Sequence, residues 1–227
     1  MELNRYEQKG VKAFIRPNTS DKFIVDEVIK DNAYRQLNIS SSDIVLDVGL
    51  NIGMFTIYAL INNAKKVYSY EPEKENFKLA EMNIKLNYFN YKCELYNSAV
   101  IGNDDKHRIF SINLKKNKGA HSLVEKRGRD SVTVDCININ RVLETIQPTI
   151  IKMDIEGGEY ECIKAVKSFK GIQQFIIEFH HAHLNDIKTR VKYKEIITIL
   201  KKNFKEVNYR EETKKAWVTL IYCKDAK

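Results

Sequence analysis

The stretch IVLDVGLNIGMF at residues 44–55 decides the fold class of this 227-residue chain. Residues 44–48 are apolar apart from Asp47, which is typical of a strand buried in a parallel sheet. Gly49 and Gly53 then favour a tight turn, and the apolar residues that follow predict a helix through Leu60. A buried strand that passes through a glycine turn into a helix indicates a Rossmann-like α/β sheet.

Compact apolar runs alternate with amphipathic segments after this unit. Further strands are predicted at residues 66–71, 93–100, 132–136, 149–154 and 175–179, and helices after residues 71, 158 and 186. Residues 101–129 are predicted to form a polar hairpin or loop, and β-like runs at 206–209 and 216–222 close the chain. This order predicts a mostly parallel seven-stranded sheet with helices on both faces and a C-terminal antiparallel hairpin.

The chain is predicted to hold one main domain at residues 43–227. Residues 1–42 are predicted to be an N-terminal extension that packs on this core, with a strand at 11–16 and a helix capped near Ser20 and Asp21. No apolar run is long enough to span a membrane, and residues 1–9 do not form a secretory signal, so we expect a cytoplasmic location.

The net charge of +8 leaves a nucleic-acid partner open, although the lysines are dispersed rather than clustered. The four cysteines form no C-x-x-C pair, and we expect them to act as small buried hydrophobic residues. Charge and cysteine content therefore do not favour a nucleic-acid surface, a disulfide framework or a zinc site.

The glycine turn has features of a nucleoside site. A turn between a buried strand and a helix brings backbone N–H groups close to a ligand. The spacing here is G-x-x-x-G with Asp47 two positions before Gly49, unlike the dinucleotide pattern G-x-G-x-x-G. Such an acid would repel a pyrophosphate, whereas it suits the positively charged amino-acid end of S-adenosylmethionine. The alternative is a tight turn that binds no ligand.

Glu71 strengthens the nucleoside hypothesis. It closes the second strand of the sheet, 22 positions after Gly49, where an acid accepts hydrogen bonds from both ribose hydroxyls. Its alternative role is a charge that favours the start of the next helix. Ser98 and Ala99 follow the third strand on the same edge, where small and polar residues leave room for an adenine ring; an ordinary strand end is the alternative.

The sequence KMDIEGGE at residues 152–159 crowds three acids at the carboxyl end of a buried strand. Such crowding is costly unless a cation lies among the acids, and a sulfonium, an ammonium or a divalent metal ion would each fit beside Asp154 and Glu156. Alternatively, Lys152 neutralises one acid internally and Glu159 favours the start of a helix.

The sequence EFHHAH at residues 178–183 places three histidines at the end of the next strand. Alternation in a strand puts Glu178 and His180 on one face, where the carboxylate can orient the imidazole as a general base. Together with Asp154, the same pair could hold Mg²⁺ or Mn²⁺. The alternative is a polar loop with exposed histidines.

These motifs together resemble those of the FkbM family of methyltransferases. The matching stretches are RPNTSD at 16–21, DVGLNIG at 47–53, YEPEKENF at 70–77, NSAV at 97–100, KMDIEGGE at 152–159 and IEFH at 177–180. They occur in the family's order. Leu50 is a departure, because the family usually has alanine there, and it adds bulk beside the turn.

The resemblance implies a class I methyltransferase fold and an S-adenosylmethionine-dependent O-methyltransferase that acts on a sugar or glycan hydroxyl. The predicted cofactor-binding residues are Asp21, Asp47, Gly49, Asn51, Gly53, Phe55, Glu71, Pro72, Ser98, Ala99, Asp154 and Glu156. Asp21 is predicted either to close over the pocket or simply to cap its helix.

A sugar hydroxyl is a poor acid, so methyl transfer to it needs a base or a metal ion. The predicted catalytic residues are His180 as the base, Glu178 as the group that orients it and Asp154 near the reacting centre. The variant of this prediction is a metal site formed by Asp154, Glu178 and His180. Two other functions stay open: RNA or protein methylation, and a non-catalytic cofactor-binding scaffold in glycan assembly.

Overall fold

The structure is a computed structural model that describes residues 2–112, 130–180, 187–209 and 218–227. Its strands are β1 (Asn4–Gln8), β2 (Val11–Ile15), β3 (Ile44–Val48), β4 (Lys66–Tyr70), β5 (Cys93–Tyr96), β6 (Ala99–Ile101), β7 (His107–Ile112), β8 (Asp130–Asn138), β9 (Ile150–Met153), β10 (Gln174–His180), β11 (Phe204–Tyr209) and β12 (Val218–Ala226). Its helices are α1 (Asp21–Val25), which continues into a π-helical turn (Asp26–Lys30), α2 (Met54–Ile61), α3 (Lys74–Leu86), α4 (Ile139–Ile146), α5 (Glu159–Ala165) and α6 (Ile187–Asn203).

The central sheet has seven strands in the order β11-β12-β10-β9-β3-β4-β5. The five strands from β10 to β5 are parallel, and β12 runs antiparallel to both β10 and β11. This topology confirms the predicted α/β class and the C-terminal antiparallel hairpin. Parallel order brings the carboxyl ends of β3, β4, β9 and β10 to one edge, which is where α/β sheets bind their ligands.

The segment predicted as one strand at 93–100 forms two strands in different sheets. β5 pairs with β4, whereas β6 pairs with β8 in a separate three-stranded sheet with β7. The chain turns between them, where the Asn97 side-chain amide donates to the carbonyl of Glu71 at 2.8 Å. β7 lies in the segment 101–129 that was predicted as a polar hairpin or loop, but its antiparallel partner is β8, which contains the strand predicted separately at 132–136; residues 113–129 lie outside the described part. The prediction had omitted β1 and α4.

Apolar side chains cover both faces of the central sheet. One buried cluster joins β2, the α1 region, α2 and α3 to the sheet, and a second cluster joins α4, α5 and α6 to its other face. Leu50 is 1% exposed and belongs to the first cluster, so its extra bulk relative to alanine packs into the core. None of the described helices is long and apolar enough to cross a membrane.

The N-terminal strands pack against α3 through backbone contacts with two asparagines. Asn83 accepts the N–H of Phe14 at 2.7 Å, and its amide donates to the carbonyl of Ile52 at 2.9 Å. Asn87 accepts the N–H of Lys12 at 3.0 Å. β2, α3 and the glycine turn are therefore held together by hydrogen bonds, which fixes residues 14–16 beside the ligand edge.

Candidate active site

The turn after β3 approaches β9 more closely than any side chain permits. Gly49 has φ +96°, and a Cβ added there would lie 1.8 Å from the carbonyl oxygen of Asp154. Its N–H donates to the carbonyl of Tyr70 at 3.0 Å, so the turn is also tied to the end of β4. Glycine is required here for two reasons: other residues rarely adopt this positive φ, and any Cβ would clash with the Asp154 carbonyl.

Glu71 links the glycine turn to the loop after β4. One carboxylate oxygen accepts the N–H of Asn51 and the other accepts the N–H of Glu73, each at 2.9 Å. Burial raises the pKa of Glu71 to about 7, although these two backbone hydrogen bonds act in the opposite direction. Each oxygen keeps a further lone pair, so Glu71 can still accept hydrogen bonds from a ligand.

A cleft opens at this edge of the sheet, and the empty space between its walls, including the part open to solvent, is about 540 Å³. Seven residues of the predicted cofactor set line it: Gly49, Asn51, Glu71, Pro72, Ala99, Asp154 and Glu156. The sequence reasoning missed the other lining residues, which are Val48, Tyr70, Asn76, Val100, Phe110 and Ile155. Asn76 stands in the resembling stretch at 70–77, which was a usable signal, whereas nothing in the sequence placed Phe110 of β7 here.

The remaining five residues of the predicted cofactor set lie outside the lining of this cleft. Asp47 is fully buried and accepts a hydrogen bond from the Thr56 hydroxyl at 2.8 Å. Phe55 packs edge-on against Tyr34 with ring centroids 4.8 Å apart. Gly53 lies against Ala80, where an added Cβ would be at 3.3 Å, and Ser98 is half-buried in the turn between β5 and β6. These four residues do not form part of the cleft surface, but their positions allow them to hold the lining residues in place.

Asp21, the fifth of these residues, is fully buried and held by Arg16. Both Arg16 Nε and Arg16 Nη2 donate to its carboxylate at 2.8 Å. Ser20 occupies the N-cap position of α1 without a side-chain capping bond, so neither residue caps the helix through its side chain. The carboxylate of Asp21 is buried and forms an ion pair with Arg16. This geometry does not support the prediction that Asp21 closes over the pocket.

Lys152 is a buried cation beneath the cleft. Its ammonium donates to the carbonyl of Gly49 at 2.7 Å and lies 3.4 Å from Asp47 and 3.5 Å from Asp154. Burial alone would lower the pKa of Lys152, but the charges of Asp47, Asp154 and Glu178 raise it above its ordinary value. Lys152 therefore neutralises Asp47 and Asp154 internally. This is one of the two alternatives that the sequence left open for residues 152–159.

His180 lies among three carboxylates. Its Nδ1 is 3.1 Å from Glu159, and its Nε2 is 3.5 Å from Glu156 and 3.8 Å from Asp154. Burial alone would lower the pKa of His180, but the hydrogen bond to Glu159 and the three negative charges raise it to about 10. At neutral pH the ring is therefore an imidazolium, which donates rather than accepts a proton.

Glu178 contacts Tyr34, and Glu159 is the carboxylate that orients His180. The Tyr34 hydroxyl donates to Glu178 at 2.5 Å. The predicted pairing of Glu178 with His180 therefore needs correction: the two residues share a strand, but their side chains have different partners. Burial and the neighbouring charge of Asp154 raise the pKa of Glu178 to about 7.

Among the described residues, one group has the composition of a metal site. Asp154, Glu156 and His180 each offer a ligand atom, and these atoms lie within 4.8 Å of one another. The predicted set contained Glu178 in place of Glu156. Glu159 on the other ring nitrogen of His180 matches the carboxylate–histidine arrangement that orients metal ligands.

Glu71 yields a prediction for stability. Its folded-state pKa of about 7 exceeds the ordinary value of 4.5, so its contribution to stability is present below pH 4.5 and is lost as the pH rises through 7. We expect the unfolding free energy of Glu71→Gln, relative to the wild type, to increase by about 2 kcal/mol between pH 5.5 and pH 8. Urea denaturation at several pH values measures this difference.

The exposed residue Glu81 on α3 is the control, because Glu81→Gln makes the same chemical change in solvent. A difference between Glu71→Gln and the wild type that stays constant over this pH range would contradict the assignment of a raised pKa.

Comparisons with known proteins identify the family of this chain and agree with the fold described above. The family model for the methyltransferase FkbM domain matches residues 47–211. Methyltransferase sdnD of Sordaria araneosa is 25% identical over 182 residues, covering 64% of this chain and 68% of the relative. Ribosomal RNA small subunit methyltransferase A of Clostridium botulinum is 28% identical over 122 residues, covering 54% of this chain and 39% of the relative.

Solved structures show the same fold at low sequence identity. M. jannaschii TYW2 in complex with AdoMet superposes with a TM-score of 0.55 at 14% identity, covering 98% of this chain and 85% of that one. M. jannaschii tRNA m1G37 methyltransferase gives a TM-score of 0.53 at 14% identity, covering 99% of this chain and 57% of that one.

Proposed function

This chain belongs to the methyltransferase FkbM family, and from that premise we propose that it transfers a methyl group from S-adenosylmethionine to a hydroxyl of a sugar or glycan. The cofactor supplies the methyl group already activated on a sulfonium. The protein has to hold the two reactants in line and accept the hydroxyl proton.

The cleft fits the nucleoside part of this cofactor. We propose that Glu71 accepts hydrogen bonds from the ribose hydroxyls and that Pro72 and Ala99 bound the adenine. The missing Cβ of Gly49 lets the glycine turn lie directly against the carbonyl of Asp154, and the turn and Asp154 together form part of the cleft wall, which we call the cradle. Asp47, Gly53 and Phe55 support this cradle from inside the fold.

The raised pKa of Glu178 is the observation that carries the proposal of methyl transfer to a hydroxyl. Its pKa of about 7 makes it a proton acceptor suited to neutral pH. Ile177 of β10 pairs with Met153 of β9, so Glu178 and Asp154 are the next residues on neighbouring strands. We propose that Glu178 takes the hydroxyl proton, that Asp154 orients the acceptor and that the imidazolium of His180 stabilises the developing alkoxide.

This assignment keeps the three predicted catalytic residues, moves the role of base from His180 to Glu178 and gives His180 a new role as a stabilising charge. An imidazolium held by Glu159 and flanked by Glu156 carries positive charge at neutral pH, so it suits an oxygen that is losing its proton. Glu178 has a lower proton affinity than this ring, and its Tyr34 hydrogen bond fixes its position.

The charge around the acceptor edge supports a neutral acceptor over RNA. RNA methylation is the second candidate, because ribosomal RNA and tRNA methyltransferases are among the similar proteins and the net charge is +8. However, the acids at the carboxyl ends of β9 and β10 outnumber the two cations beside them, Lys152 and His180, so this edge offers no surplus of positive charge to phosphodiester groups. A glycan hydroxyl brings no such charge.

A metal-assisted variant rests on Asp154, Glu156 and His180. The three ligand atoms fit one divalent ion, and Mg²⁺ or Mn²⁺ bound there would lower the pKa of a coordinated hydroxyl. In that variant His180 must lose its proton to bind the ion, so metal binding would release protons. Isothermal titration of the protein with MnCl₂ in two buffers of different ionisation enthalpy measures that release.

Labelled S-adenosylmethionine and an acceptor panel test the proposed function directly. The protein is incubated with glycosides, unmodified ribosomal RNA and a control protein, each with Mn²⁺ and with EDTA. We expect label in a glycoside, with a rate that changes little between 50 and 200 mM salt, whereas RNA binding should weaken steeply. Label in RNA would favour the second candidate, and cofactor binding without any labelled product would favour a scaffold.

A further inference from the structure

Arg16 is a buried guanidinium at the end of β2 whose donors are only partly used. The residue is 4% exposed, and its Nε and Nη2 atoms donate to Asp21. Nη2 also donates to the side-chain oxygen of Asn76 at 2.8 Å. Nη1 has no hydrogen-bond partner among the described residues. Buried side-chain donors in folded proteins are rarely left in this state.

The contacts of Arg16 place it against the wall of the cleft. Asn76, which receives its Nη2 hydrogen bond, lines the cleft. One and two turns further along α3, Ala80 lies against Gly53 and Asn83 binds both Phe14 and Ile52. The end of β2 and the glycine turn therefore lie along one face of α3, and Arg16 contacts Asn76, which lines the cleft, in the first turn of that helix.

Asn51 offers a complementary group in the cleft that Asn76, the partner of Arg16, also lines. Its side-chain oxygen is buried and has no hydrogen-bond partner among the described residues, although the residue lines the cleft. Its backbone has φ +51°, a conformation that asparagine adopts more readily than most residues. One unused donor and one unused acceptor thus lie on the two segments that pack on the same face of α3.

An α-amino acid matches this pair, because its carboxylate accepts from a guanidinium and its ammonium donates to an amide oxygen. We propose that Arg16, through Nη1, binds the carboxylate at the amino-acid end of the cofactor, with Asn51 accepting from the ammonium. Asp21 already balances the charge of Arg16, so the site suits a zwitterion rather than a free anion. This inference rests on the proposed function. It assigns contact with the amino-acid end of the cofactor to Arg16, whereas the sequence had suggested Asp47 and Asp21 for the cofactor site.

Three ligands separate the amino-acid end from the nucleoside. S-adenosylhomocysteine carries the carboxylate and the ammonium, its decarboxylated analogue keeps only the ammonium, and 5′-methylthioadenosine has neither. By calorimetry we expect the wild type to bind S-adenosylhomocysteine about 10- to 100-fold more tightly than the decarboxylated analogue. Equal affinities for these two ligands would overturn the inference without any variant being needed.

Arg16→Lys tests the residue itself, because lysine keeps a cation beside Asp21 but removes the planar fork. We expect the preference for the carboxylate to fall to about threefold or less while affinity for 5′-methylthioadenosine changes by less than about twofold. Arg141→Lys, at a side chain that is 71% exposed on α4, is the matched control. Equal weakening of all three ligands would mean a structural role for Arg16, and a wild type that binds none of them would overturn the proposed function as well.

Discussion

Gly49→Ala is expected to abolish nucleoside binding and to destabilise the fold. The new methyl group would lie 1.8 Å from the carbonyl oxygen of Asp154, and movement of that carbonyl would disturb its peptide unit, whose N–H at Ile155 donates to Glu159 at 2.9 Å. We expect a loss of about 3 kcal/mol or more in unfolding free energy. Affinity for S-adenosylhomocysteine should fall by about 100-fold or more, since the turn that forms the cradle must move. Urea denaturation and calorimetry measure the two effects.

Gly171→Ala is the control that separates the two effects of Gly49→Ala, the steric clash with Asp154 and the strain of a positive φ. Gly171 has φ +90°, but nothing lies within 4 Å of a Cβ added there. Its replacement should cost only the strain of alanine in the left-handed region, about 1–2 kcal/mol, and should leave ligand affinity unchanged. If Gly49→Ala and Gly171→Ala behaved alike, the close approach of the turn to Asp154 would have no importance for binding.

Glu178→Gln is expected to lower kcat by about 10²- to 10⁴-fold, because glutamine keeps the size of the side chain and cannot take a proton. The wild-type pH profile of kcat/KM should rise through an apparent pKa of about 7, the value set by burial of Glu178 and the nearby charge of Asp154. Above that pH the carboxylate is ionised and able to act, and below it the activity falls. The residual activity of Glu178→Gln should lack this rising limb.

Tyr34→Phe provides a second test of whether the pKa of Glu178 sets the pH profile. The hydrogen bond from Tyr34 lowers the pKa of Glu178, so its removal should move the rising limb to higher pH while preserving activity on the plateau. Glu144→Gln, at an exposed position on α4, should change neither limb nor plateau. A pH profile that stays the same in Glu178→Gln would exclude Glu178 as the proton acceptor.

The pH profile also separates Glu178 from the imidazole predicted as the base. A neutral His180 would require a pH near 10, because three carboxylates hold its proton. His180→Gln should therefore lower kcat while the rising limb near pH 7 persists. That result agrees with a ring that acts as a positive charge near the acceptor oxygen, whereas loss of the rising limb in His180→Gln would identify His180 as the base.

The sequence alone determined the order of the main elements and the edge at which the cleft forms. Periodicity of apolar residues located β3, β4, β9 and β10, and glycine at position 49 followed from the turn chemistry of a strand that leads into a helix. Six of the seven predicted cofactor residues that line the cleft lie in the segments that follow β3, β4 and β9, because the carboxyl ends of parallel strands meet at one edge; the seventh, Ala99, begins β6.

Tertiary structure alone decided the partners of the charged groups. Asp21 faces Arg16, Glu178 faces Tyr34 across 144 positions of the chain, and Glu159 rather than Glu178 binds His180. Phe110 reaches the cleft from a strand outside the central sheet. Local patterns fix where a side chain starts on a strand or helix, whereas its partner and its pKa depend on which distant segments pack beside it and exclude water.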